Sequence, residues 1–211
     1  MEVARNVALQ LDIPNLTLNS VLFLEYTSAG RSVQPVPSDQ PLLGPGHSLL
    51  LAKCMMGMLT TDEWKPLIAS ALIFSRKLKP SLRRKALSNV ALPVILVGVA
   101  EVVALQFFPN QAYRGSLLAI GFTIPSLVLL FAGMKRYYPM VRKARLQADL
   151  EATSLVSMDS FLAVLRKIDG FGMKDVERWK KETRGFASSL ADHPSIAERI
   201  ENLQSGSARS L

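Results

Sequence analysis

Apolar positions set out three kinds of segment along this chain: amphipathic helices at its two ends, short strand-like runs near residues 20 and 50, and two long blocks almost free of charge in the middle. Val3, Val7 and Leu11 stand at i, i+4 and i+8 and predict an amphipathic helix over residues 2–12, stopped by Pro14. Val21-Leu22-Phe23-Leu24-Glu25-Tyr26 is strand-like, with Ser28-Ala29-Gly30 as the turn after it. A Pro-rich loop is expected from Gln34 to Pro45, followed by a second short run, His47 to Ala52, as the neighbour of the first strand. A helix is then expected over about 61–77, capped by Thr61 or Asp62, with Leu67, Ile68, Ala71, Leu72 and Ser75 on one face.

The basic residues Arg76, Lys77, Lys79, Arg83, Arg84 and Lys85 lead into Val90 to Phe108, where Glu101 is the only charge. Gly115 to Met134 carries no charge and closes with Lys135 and Arg136. At a rise of 1.5 Å per residue the first block is roughly 28 Å long, enough for the hydrocarbon core of a bilayer. The expectation is therefore a transmembrane hairpin in 88–136, with helices at about 90–108 and 115–134. The bias of basic residues to its outer ends places both termini, and the flanking domain, on the cytoplasmic side of an integral membrane protein. Within it Glu101 reads either as a functional group or as one that faces protein or snorkels.

The last third is polar and helical. Met140, Ala144, Ala148 and Ala152 form one stripe, and Phe161, Leu162, Leu165 and Ile168 another that Asp169-Gly170 ends. Ser195-Ile196-Ala197-Glu198 is a capping box ahead of a stripe of Ile196, Ile200 and Leu203. The division expected is 1–85, then the hairpin, then 137–203, with 204–211 a disordered tail. The fold class is mainly α with a small β-sheet, α+β.

Composition narrows the chemistry. The 211 residues include 49% apolar side chains, and 25 lysines and arginines outnumber 17 acidic residues for a net charge of +8. These positives flank apolar blocks, which suits anionic lipid better than nucleic acid. There is no aromatic–basic alternation of the kind single-stranded nucleic acid needs, so nucleic acid is set aside as a partner. A single cysteine, Cys54, precludes an internal disulfide and reads as part of a buried turn in Cys54-Met55-Met56-Gly57-Met58. The N-terminus lacks the apolar core of a signal peptide. The sequon Asn15-Leu16-Thr17 has no secretory context. No G-x-S-x-G is present, and Gly44-Pro45-Gly46 lacks the residues that would make it a phosphate loop. Asp62-Glu63 reads as a helix N-terminus, and Trp64 and Trp179 as packing or interfacial residues.

Three segments carry a resemblance. Asp192-His193-Pro194-Ser195-Ile196-Ala197-Glu198-Arg199-Ile200, then Arg142-Lys143-Ala144-Arg145-Leu146-Gln147-Ala148-Asp149, and Leu43-Gly44-Pro45-Gly46-His47-Ser48 through Leu59-Thr60-Thr61-Asp62-Glu63 together resemble the HtpX-like membrane zinc metallopeptidases, relatives of the CAAX prenyl proteases. The resemblance implies a zincin-like scaffold interrupted by the hairpin. It places the two zinc histidines at Ser70 and Phe74, the general base at Ala71 and the third zinc ligand at Arg145. Asp149, which supports the site in the family, is retained, as are His193 and Arg199. None of the four substituted residues does the family's chemistry. Phenylalanine cannot ligate a metal, alanine cannot take a proton from water, and arginine repels Zn²⁺. No histidine lies between residues 48 and 192, so no shift of register restores the motif. Arg145 is expected to take the vacant cation position by pairing with Asp149 at i+4.

The resulting expectation is a pseudoenzyme: an inactive peptidase-like integral membrane protein with no catalytic, cofactor or metal residues, no zinc, and a peptide or protein client at the cytoplasmic membrane face. Leu49-Leu50-Leu51-Ala52 would hold that client by strand addition, and an active paralogue is a possible partner. Two other classes stay open. One is an active membrane zinc metalloendopeptidase with ligands from His47, His193, Cys54 and carboxylates; the other is a membrane-anchored structural module that binds acidic lipid through residues 76–85. A decayed gene product without function is a further reading. The relatives usually have membrane helices ahead of the domain, where this chain begins with the domain itself.

Overall fold

The structure, a computed structural model, describes residues 2–11, 18–29, 32–106, 123–182 and 192–208. It is mostly helical with a small mixed sheet, so the α+β class holds. Helix α1, Glu2–Gln10, buries Ala4, Val7 and Ala8. Strand β1, Ser20–Leu24, and β5, Ser48–Ala52, are parallel neighbours in the register Val21–Leu49 to Leu24–Ala52, as the two apolar runs predict. Between them β2, Tyr26–Ala29, and β3, Ser32–Pro35, form an antiparallel ribbon. The two-residue β4, Leu42–Leu43, pairs antiparallel with β5. The Pro-rich stretch thus contains pairing strands that the density of prolines conceals. Because β5 lies between β1 and β4 and is buried throughout, Leu49–Ala52 is not an edge that a peptide could extend.

Helix α2, Trp64–Leu72, is buried on nearly every side and not only along one face; Lys65 alone is partly exposed. It lies between α1 and the later helices, and a helix apolar all round belongs inside a core. Its start is held by Thr60 rather than Thr61 or Asp62. The Glu63 carboxylate accepts from the Thr60 N–H at 2.7 Å, while the Glu63 N–H donates to the Thr60 hydroxyl at 3.3 Å. Lys167, from a later helix, pairs with the Glu63 carboxylate at 2.7 Å. From α2 the chain stays helical through a π segment at Ile73–Leu78, α3 at Lys79–Ala86, a second π segment at Leu87–Ala91 and α4 at Leu92–Gln106. Pro80 and Pro93 each stand two residues beyond the end of a π segment. Proline offers no N–H to the carbonyl one turn back, and a wider turn re-routes the hydrogen bonds around it.

Helix α5, Thr123–Ala152, returns antiparallel to this run: Ser70 meets Asp149 at one end and Val90 faces Gly133 at the other. A Cβ on Gly133 would lie 2.6 Å from the Val90 side chain, so only glycine permits that approach. Helix α6, Met158–Gly170, is capped by Ser157 and buries Phe161, Leu162, Leu165 and Ile168 as predicted. Helix α7 spans Lys174–Glu182 and α8 spans Ile196–Ala208. The Ser195–Glu198 capping box forms, with the Ser195 N–H donating to the Glu198 carboxylate at 3.1 Å. Helix α8 continues through residues 204–208, which the sequence assigns to a tail.

The membrane reading does not survive. The described part of α4, Leu92–Gln106, is 15 residues long, about 22 Å at the α-helical rise, against the roughly 30 Å of a hydrocarbon core. The second apolar block does not end as a span at Met134: its described part is the opening of α5, which runs on through Lys135, Arg136 and Pro139 into a polar, charged helix. Among the described residues no helix is long and apolar enough to cross a membrane. The transmembrane hairpin, the integral membrane location with cytoplasmic termini and domain, and all three membrane-based functional readings fall with it. Residues 107–122, which hold the ends of both blocks and the turn between them, lie outside the described residues, as do the sequon at 15–17 and the side chains of Glu101 and Trp179.

Candidate functional site: a buried ion cluster

Two of the three segments that carry the family resemblance, 142–149 and 192–200, fold onto one place. Ser70 on α2, Asp149 on α5, Arg199 on α8, Asp39 in the loop before β4 and His193 ahead of α8 are all buried. Arg199 is the hub. Its Nε and Nη2 donate to the two Asp149 oxygens at 2.8 and 2.9 Å, and its Nη1 donates to the Asp39 carbonyl at 2.7 Å and carboxylate at 3.0 Å. The Ser70 hydroxyl donates to Asp149 Oδ1 at 2.6 Å. Planar guanidinium suits such a fork, and fully paired hydrogen bonds are what make a buried charge tolerable.

His193 sits at the rim of this network. Its Nδ1 donates to the Pro194 carbonyl at 2.8 Å, and its Nε2 faces Asp39 Oδ1 at 3.6 Å. Burial, reinforced by the charges of Arg145 and Arg199, lowers the His193 pKa despite the attraction of Asp39, so the imidazole is neutral. For Asp39, burial opposes ionisation, but the Arg199 guanidinium and the hydrogen bonds that Asp39 accepts hold the carboxyl below its ordinary value. Burial likewise opposes the charge of Arg199, and Asp149 and Asp39 together outweigh it, so its pKa rises.

The four degenerate positions lie beside the hub. Ser70 and Ala71 are buried in α2, Phe74 is buried in the π segment one turn on, and Arg145 lies on α5 over the Phe74 ring, its guanidinium carbon 4.5 Å from the ring centroid. The expected Arg145–Asp149 pair does not form, because Arg199 and Ser70 already occupy both Asp149 oxygens. Arg145 donates instead to the Gln40 side-chain carbonyl. Its Nε is buried without a hydrogen-bond partner. Burial lowers its pKa, against the pull of Asp192, Asp39 and Asp149. The charges of Asp192, Asp39 and Asp149 thus attract Arg145 and that of Arg199 repels it, although none of the carboxylates is its direct salt-bridge partner. One turn earlier Arg142 pairs with Glu198, the capping residue of α8.

These side chains do not fit zinc. The resemblance assigns ligation to a hydroxyl already donating to Asp149, a phenyl ring and a guanidinium, and the nearest carboxylate has both oxygens engaged. The unconventional ligands are also scattered: His47 Nδ1 lies 2.9 Å from Arg76 Nη2, His193 is inside the cluster, and the Cys54 sulfur is 3.3 Å from the Ser38 hydroxyl. Among the described residues no three metal-ligating groups converge. Cys54 is exposed rather than buried, because the 3₁₀ turn Lys53–Met55 puts Met55 inside in its place.

Sequence reasoning missed Asp39, Gln40 and Ser38. All three are buried. Ser38 is held by Asp175 of α7 through its N–H at 2.7 Å and its hydroxyl at 2.9 Å. The only signal was a polar triplet between Pro37 and Pro41, which reads equally well as an exposed turn.

No protein-family model matches this chain, and no curated protein or solved structure is similar to it.

Proposed function

We propose that this chain is a non-catalytic relative of the HtpX-like zinc metallopeptidases, with a zincin-like scaffold in which a buried ion cluster stands in place of the metal, and that it binds an extended peptide or protein client without cutting it. One observation carries the reading. Ser70, Phe74 and Arg145, the positions that the resemblance assigns to zinc ligands, gather around the retained Asp149, His193 and Arg199. Arg145 supplies positive charge amid Asp39, Asp149 and Asp192, the electrostatic task a divalent ion has in the relatives. Alanine at position 71 cannot take a proton from water, so the place that the resemblance assigns to the base has none. The client would add to β4, the edge strand two residues beyond the Gln40 that Arg145 holds.

The test is to rebuild the site. The parent chain and the quadruple variant Ser70→His, Ala71→Glu, Phe74→His, Arg145→Glu are dialysed against zinc, and metal per folded chain is measured. The reading expects no chelator-removable zinc in the parent and one zinc per chain in the variant. Stoichiometric zinc in the parent overturns it, as does a folded variant that takes up none. For the client, a fluorescent, permanently unfolded polypeptide serves as probe. Leu43→Pro, which removes the backbone donor that β4 turns away from β5 toward its open edge, should weaken its binding about tenfold, roughly 1.4 kcal/mol. Equal binding by both proteins would remove β4 from the proposal.

A further inference from the structure

Helices α4 and α5 turn apolar side chains outward, and no described residue covers them. Leu92, Leu96, Val99 and Val103 of α4 are all exposed and follow one another at intervals of four, three and four residues. On α5, Ile124, Leu127, Val128, Phe131 and Met134 are exposed as well, and Leu127, Phe131 and Met134 repeat the four-then-three spacing. Alternating fours and threes form the seam with which a helix meets other helices, knob into hole. Together the two outward faces expose on the order of 1,000 Å² of apolar side chain, more than the few hundred Å² normal for a monomer's largest patch and above the ~800 Å² per partner of a stable interface.

We propose that a second copy of this chain covers these faces, the two helix pairs closing into an antiparallel four-helix bundle about a two-fold axis. The area matches what a stable dimer needs, and the seam is self-complementary, as a two-fold interface must be. Charge selects the direction. Arg83, Arg84, Lys85, Lys135 and Arg136 are exposed at the end where each helix pair joins the rest of the chain. A parallel arrangement would bring two such collars together. The antiparallel one separates them by the length of α4, about 22 Å, well beyond a Debye length of roughly 8 Å at physiological ionic strength. The inference does not depend on the zinc-site reading.

Sedimentation equilibrium of the full chain in detergent-free buffer tests it, with Val99→Glu and Phe131→Glu as variants. Both positions are exposed, so circular dichroism should show unchanged folding, and each change enters a two-fold interface twice. The expected result is a two-chain mass that either substitution weakens by at least about tenfold. In a Cys54→Ser background, Leu96→Cys should also form a chain-to-chain disulfide on mild oxidation. A one-chain mass at every concentration overturns the proposal, and so does an open-ended series of larger masses. Binding to phosphatidylserine vesicles by a chain that is monomeric without lipid would overturn it in favour of a lipid surface.

Discussion

The two most telling regions of this molecule have exchanged the usual roles of inside and outside. Around Arg199, charged side chains are buried; along α4 and α5, large aliphatic side chains face solvent. The first region pairs its central charge internally, with every Arg199 nitrogen donating to a carboxylate or carbonyl. The second has no internal remedy, because an apolar surface is stabilised only by covering it. The ion cluster is therefore a matter for one chain, whereas the helix pair implies more than one.

The contrast breaks most sharply at the hub. Arg199→Ala leaves Asp149 and Asp39 buried without their cation, which is expected to cost about 3–5 kcal/mol. That is a large share of the 5–15 kcal/mol of a typical domain, so the variant should be largely unfolded or melt far below the parent by circular dichroism. If Arg199→Ala melts like the parent, the cluster does not hold the fold. By comparison, Val99→Glu, at an exposed position, should leave the melting of the single chain within about 0.5 kcal/mol.

Next in size is Arg145. Three carboxylates attract it, Arg199 repels it and none of the carboxylates pairs with it directly, so its charge should matter more than its contacts. Arg145→Glu would set a fourth carboxylate among Asp39, Asp149 and Asp192 and should cost about 2–4 kcal/mol. Arg145→Leu keeps apolar contact with Phe74 and should cost about 1 kcal/mol, read by urea midpoints. Equal losses for the two would mean that packing on Phe74, not charge, is what Arg145 provides.

The amphipathic parts of this fold were legible because periodicity reports burial. The stripes of α1, α6 and α8, the pairing of β1 with β5 and the Ser195 capping box all follow from spacing alone. Three things did not. Helix α2 is buried all round, whereas the pattern marks only the face of Leu67, Ile68, Ala71, Leu72 and Ser75. The break at Lys135 and Arg136 looked like a membrane edge, yet α5 continues through it, since charges and even Pro139 are compatible with an exposed helix that bends. Asp39 was hidden because its partner Arg199 is 160 residues away, and no local pattern encodes a contact at that separation. The site was legible in part: the degenerate positions do sit together, but which acid pairs with which base had to come from geometry.

The smallest effect sharpens the comparison by confining it to one proton. His193 is buried and its pKa is lowered below 6.5, so the unfolded chain takes up a proton at a pH where the fold does not. The stability this contributes is present above about pH 6.5 and is lost as pH falls from there toward the folded-state pKa, at most about 1.4 kcal/mol per pH unit. Asp39 acts at lower pH. Its depressed pKa gives stability that is present above about 4 and lost as pH falls through the folded value. Thermal melts should therefore show a first decline beginning near pH 6.5 and a second below about 4. His193→Gln removes the titrating ring and should abolish the first decline while leaving the second. His47, the other histidine, is partly exposed near Arg76, so His47→Gln should retain both declines. If the first decline persists in His193→Gln and vanishes in His47→Gln, the buried imidazole is not the group that links this fold to pH.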